Sequence, residues 1–157
     1  MAATVLQLYR KCEALPLGKW LFSRLVCWKA PYFASISPRI LRLEPGRGEA
    51  RIAHRRGVTN HLGTVHAIAM CNLAEFIGGL ATDVSIPASM RWIPRGMTVE
   101  YLKKAQGTLH AVATFDQPPH AADAGYALPA RVQITDPGGE TVFRAIIDMW
   151  VSPKRTG

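Results

Sequence analysis

Residues 65–81 constrain the fold more than any other stretch. Ile68, Ala69, Met70, Cys71, Leu73, Ala74, Phe76, Ile77, Leu80 and Ala81 are apolar nearly all round at helical spacing. A helix apolar on every side is a buried one, so the rest of the chain must wall it in. Thr64 reads as its N-cap. Gly78-Gly79 marks either close backbone approach or the start of termination. One side chain breaks the pattern. Glu75 puts a carboxylate on an apolar helix, which is costly without a partner or a task.

The flanking segments supply the walls. Ile36 to Leu43 and the alternation around Ala50, Ile52 and His54 make two strands joined at Pro45-Gly46-Arg47-Gly48. Four more strands follow the helix, at Met97–Leu102, Leu109–Phe115, Leu128–Thr135 and Thr141–Val151. Asp136-Pro137-Gly138-Gly139 is the strongest turn, and 116–125 is a long loop. Short connections between the later strands predict an antiparallel sheet. The expectation is an α+β domain: a curved antiparallel sheet of about six strands round one long central helix.

With 157 residues, the chain reads as a single domain. We place an N-terminal helical extension at 1–30 and the core at 33–152. Within the extension, apolar residues recur at helical spacing on either side of Pro16 and Gly18. Its charges are scattered, unlike those of a signal peptide. A lid packed on the domain and a membrane-surface helix both fit. The weak clustering of cations favours the lid.

The net charge is +8, spread along the chain. No run of five basic residues and no nucleic-acid-binding pattern appears, so we expect no nucleic-acid partner. No uncharged apolar run approaches ~18 residues, so no membrane insertion is expected. Cys12, Cys27 and Cys71 form no metal-binding or disulfide spacing, which predicts a reducing, cytoplasmic setting. Serine-hydrolase, P-loop and dinucleotide-binding motifs are absent.

The segment Asn60-His61-Leu62-Gly63-Thr64-Val65-His66-Ala67, running on to Glu75, resembles the signature of hotdog-fold acyl-CoA thioesterases. That pattern is an Asn, then Gly-Thr-x-His-Gly-Gly, then an acidic residue nine after the His. Here Ala67 and Ile68 replace the two glycines. The stretch Tyr101-Leu102-Lys103-Lys104-Ala105 and the helical extension resemble the DUF4442 branch. The resemblance implies a hotdog fold, an acyl-CoA or related thioester as substrate, no cofactor beyond substrate CoA, no metal, and dimers or dimers of dimers. It makes Glu75 the general base or nucleophile, the Ala67 backbone N–H the oxyanion donor, Asn60 the group orienting water or carbonyl, and His66 the support of the helix start.

Each residue also has a plainer reading: a hydrogen-bonded buried carboxylate for Glu75, a turn residue for Asn60, a structural histidine for His66. Gly63 and Ile68 border the expected substrate site. Arg95, Lys103 and Lys104, with Arg91, Lys154 and Arg155, are candidate phosphate contacts. Ala67 and Glu75 lie eight residues apart, about 12 Å along a helix. One carbonyl cannot reach both, so a joint site needs two subunits related by a two-fold axis. A non-catalytic acyl-CoA or fatty-acyl binding module on the same fold is the alternative, kept open by Ala67 and Ile68.

Overall fold

A computed structural model describes residues 4–154. The chain runs α1 (Val5–Glu13), α2 (Gly18–Lys29), a 3-10 turn (Pro31–Ser35), β1 (Arg39–Glu44), β2 (Arg47–Ile52) and α3 (Ala67–Ser85). Then follow β3 (Met90–Tyr101), β4 (Leu109–Phe115), β5 (Tyr126–Thr135) and β6 (Thr141–Pro153). One antiparallel sheet has the order β1-β2-β4-β5-β6-β3 and packs against α3. This is the hotdog arrangement, with α3 as the filling.

Period-two burial builds the sheet's inner face. Leu109, Ala111 and Ala113 on β4, Leu128, Ala130, Val132 and Ile134 on β5, and Ala145, Ile147, Met149 and Val151 on β6 are all buried. Their register places Ala111 opposite Ile134, and Val132 opposite Ala145. Each fully buried Ile, Leu or Phe contributes about 1.5–3 kcal/mol. Small residues let α3 sit close to the sheet. A Cβ on Gly78 would lie 2.6 Å from Ile147 Cδ1, and one on Gly79 would lie 3.0 Å from the Trp92 ring. These glycines therefore serve close approach, and α3 continues past them to Ser85.

Several sequence expectations need correction. The N-cap is His66, not Thr64: its Nδ1 accepts from the Ile68 N–H at 3.0 Å, and α3 begins at Ala67. The Thr64 hydroxyl is held by Asn60 instead. His54 lies beyond the end of β2 and is exposed rather than half-buried on the strand. β3 begins at Met90, seven residues earlier than the alternation suggests. Pro94 and a register shift between Pro94 and Gly96 interrupt its pattern. Proline is tolerated there because β3 is an edge strand that pairs only with β6.

α3 is also not enclosed on every side. Ile68 is 55% exposed, and Cys71 and Glu75 are half-buried. By length and mean hydropathy (1.3), α3 could cross a membrane, yet 67% of that window is packed inside the fold.

The extension is two helices. Leu17, in the left-handed region at φ 59°, separates them. Gly18 is required by packing, because a Cβ there would lie 1.5 Å from the Cys12 carbonyl oxygen. Tyr9 packs edge-on against Phe22 at 5.2 Å and donates to Glu13 at 2.9 Å. Burial and the Glu13 carboxylate together push the Tyr9 hydroxyl far above its usual range. The Ser23 hydroxyl accepts from the buried Ile40 N–H at 2.9 Å, tying α2 to β1.

Candidate active site

Glu75 sits on α3 where two open apolar grooves meet. The first, about 460 Å³, runs between Ile68, Cys71, Asn72 and Glu75 on α3, Ala30–Phe33, and Met97 on β3. The second, about 470 Å³, continues under the extension, with Leu8, Phe22, Leu25 and Val26 on one wall and Phe76, Leu80 and Trp92 on the other. Ala30, Phe33 and Glu75 line both. The extension thus builds half of the second groove, which no local sequence signal announced.

Glu75 makes no hydrogen bond or ion pair with any described residue. No described buried polar side-chain atom is left without a partner, so the unpaired carboxyl oxygens keep access to solvent, and Glu75 lines both grooves. Burial alone pushes the carboxyl above its ordinary value of 4.5. One turn earlier, the buried Asn72 amide donates to the Ser35 hydroxyl at 3.1 Å. Cys71 Sγ lies 3.2 Å from the Tyr101 hydroxyl on β3. These contacts fix the walls around Glu75 without touching its carboxyl.

The start of α3 has its donors nearly all engaged. The Ile68 N–H goes to His66 Nδ1, and the Ala69 and Met70 N–H groups go to the His66 carbonyl at 3.0 and 3.3 Å. Only the Ala67 N–H among these four lacks a partner within the described residues. It points out of the positive end of the helix, where negative charge is favoured. Because His66 Nδ1 is an acceptor, a neutral imidazole carries its proton on Nε2.

Asn60 shapes the approach to this helix end. Its Oδ1 accepts from the Leu62 and Thr64 N–H groups at 3.0 and 3.2 Å, and its Nδ2 donates to the Thr64 hydroxyl at 2.9 Å. Every side-chain hydrogen bond it makes among the described residues is therefore within its own loop. Gly63 takes φ 74°, a left-handed turn that favours glycine. Its carbonyl lies 2.9 Å from His54 Nε2, while His54 Nδ1 accepts from the Gly107 N–H at 2.9 Å. His54 therefore ties this loop to the β3–β4 link, a role the sequence reading missed for want of any local pattern.

The candidate cations do not converge on Glu75. Arg95 lies over the Trp150 ring at 4.6 Å, Lys103 pairs with Glu140 in the β5–β6 turn, and Lys104 is exposed. None of the three lines either groove; Lys29 does. Arg91 and Lys154 line a separate hollow with Trp92, and Arg155 lies outside the described residues. Ala67 and Glu75 are on one unbroken helix, so their separation of about 12 Å stands.

The layers, the central helix and the groove beneath the extension define a protein of the hotdog class. The chain belongs to the DUF4442 family, a domain of unknown function, whose pattern covers residues 18–151. A crystal structure from structural genomics is 45% identical, covering 96% of this chain and 99% of its own at a TM-score of 0.81. A Pseudomonas aeruginosa protein of unknown function is 24% identical, covering 89% and 97%, with a TM-score of 0.71. A thioesterase from Haemophilus influenzae is 14% identical, covering 100% and 97%, with a TM-score of 0.68. No curated protein matches the chain.

Proposed function

We propose that this chain hydrolyses acyl-CoA-type thioesters at a site shared by two copies. The observation that carries the reading is Glu75: an unpaired, half-buried carboxyl, raised in pKa by burial, where two apolar grooves meet. That is the environment a general base needs. The acyl chain lies in the groove under the extension, and the thioester carbonyl sits beside Glu75.

The Glu75 carboxylate takes a proton from water, and the resulting hydroxide adds to the thioester carbon. Negative charge moves to the carbonyl oxygen, where the Ala67 N–H of the second copy stabilises it. The intermediate collapses, the C–S bond breaks, and the thiolate takes the proton from Glu75. Direct attack by Glu75 through a mixed anhydride uses the same residues. The second copy enters beside β3, whose outer edge is unpaired and carries the exposed Ile93. His66 holds the helix end and Asn60 the loop before it. Gly63 gives that loop its turn. Arg95, Lys103 and Lys104 are left for the distal phosphates of CoA.

Two observations favour the binding-module alternative. The exposed Ile68 lines the first groove where the thioesterase signature has glycine, and the Asn60 side chain spends its hydrogen bonds in its own loop. A free-thiol release assay over short, long and aromatic acyl-CoAs separates the two. Turnover that Glu75→Gln abolishes supports hydrolysis. Binding without turnover on any of them supports the module.

A further inference from the structure

α2 is apolar on two sides, but the fold covers only one. Phe22, Val26 and Cys27 turn inward. Leu17, Trp20, Leu21, Leu25 and Trp28 recur at helical spacing on the outside, with Trp20 50% and Trp28 84% exposed. An exposed apolar stripe of this kind marks a surface that meets something. Beside it lies a hollow of about 320 Å³ walled by Trp20, Arg24, Arg39 and Arg51, with no carboxylate in its lining. Arg39 and Arg51 stand directly opposite each other across β1 and β2, an unfavourable like-charge pair. Neither they nor Arg24 form an ion pair among the described residues.

We propose that this face docks on an anionic membrane surface, with the α2 stripe in the interface and a lipid phosphate in the Arg24/Arg39/Arg51 hollow. Tryptophan flanked by cations suits the headgroup level. Arginine suits phosphate because its planar fork can donate twice. A second copy is the poorer occupant: a two-fold contact centred on this face buries two arginine clusters in one interface, and the hollow brings no carboxylate to pair with them. The stripe is continuous with the site already described. Leu25 and Lys29 line the groove under the extension, so docking turns its mouth toward the source of long acyl chains. The placement goes beyond the proposed hydrolysis and does not require it.

Co-sedimentation of the full chain with vesicles of equal parts phosphatidylglycerol and phosphatidylcholine tests this. Binding is expected, with a blue shift of tryptophan emission and a decline as salt rises. Pure phosphatidylcholine vesicles bind far less. Trp28→Ser lowers binding about tenfold, and its exposure makes misfolding no explanation. Arg39→Gln and Arg51→Gln each lower it about fivefold, without loss of thermal stability, because like charges are relieved. No binding at low salt overturns the proposal, as does binding indifferent to phosphatidylglycerol and to both arginines. A drop in oligomer mass on Trp28→Ser assigns the face to a second copy and also overturns it. So does inorganic phosphate that raises the melting temperature through the same arginines while vesicles do not bind. Sedimentation reads no hydrolysis, so failure here leaves the thioesterase reading standing.

Discussion

The two halves of α3 share a composition but not an environment. From Phe76 to Thr82 only Leu80 escapes full burial, because the sheet and Trp92 close over the helix. From Ala67 to Glu75 one face stays open: Ile68 is largely exposed, and Cys71 and Glu75 are half-covered. Over that face lie the 3-10 turn and the edge strand β3, with the extension reaching across at Glu75. The closed half holds the domain together and lends Phe76, Gly79 and Leu80 to the groove under the extension, while the open half carries Glu75 and the first groove. Apolar residues on one helix therefore do two jobs, and only what covers them tells which.

Changes in the two halves have separable effects. The largest is Glu75→Gln, which lowers thioester hydrolysis by about 10²–10⁴-fold, the range for losing a general base. It leaves the fold intact, because no hydrogen bond is lost. Thiol-release kinetics and a melting curve check both halves of that statement. Ile77→Ala in the closed half does the reverse. It costs about 2–5 kcal/mol in denaturant unfolding and leaves turnover per folded molecule unchanged. His66→Ala falls between, at about 0.5–2 kcal/mol for a lost cap, with reduced turnover because the first turn of α3 frays.

The smallest effect is on pH dependence, and its sign is fixed. Burial raises the folded pKa of Glu75 above its unfolded value. The proton is therefore held more tightly in the folded chain. That contribution to stability is fully present below the unfolded value and is lost as pH rises through the folded one. Urea unfolding at stepped pH should show a difference between wild type and Glu75→Gln that changes only between the unfolded value and the raised folded one. Activity, which needs the carboxylate, rises across the same window.

The fold was legible wherever one face of an element is buried by neighbours in the same sheet. β4, β5 and β6 carry plain alternation, and Glu75 stood out as a lone charge among apolar residues. β3 was half-hidden because an edge strand can hold Pro94 and a bulge without penalty. The start of α3 was misplaced because Thr64 is a better cap by type, whereas His66 caps through a ring nitrogen and Asn60 takes Thr64. The groove under the extension and the His54 tie depend on segments far apart in sequence, and local patterns carry no record of them; the α2 residues showed their helical spacing, but not which of them the fold would leave exposed.

Ala67 offers the most direct test of a site shared by two copies. It occupies the first helical position, where proline is tolerated, and His66 before it is already extended at ψ 140°. Ala67→Pro therefore deletes the free N–H and keeps the helix. Each of Ala67→Pro and Glu75→Gln alone should be nearly inactive. Mixed in equal amounts and allowed to exchange subunits, they should recover about a quarter of wild-type activity, since half the dimers are mixed and each mixed dimer has one intact site. No recovery, in a mixture shown to contain mixed dimers, contradicts the shared site.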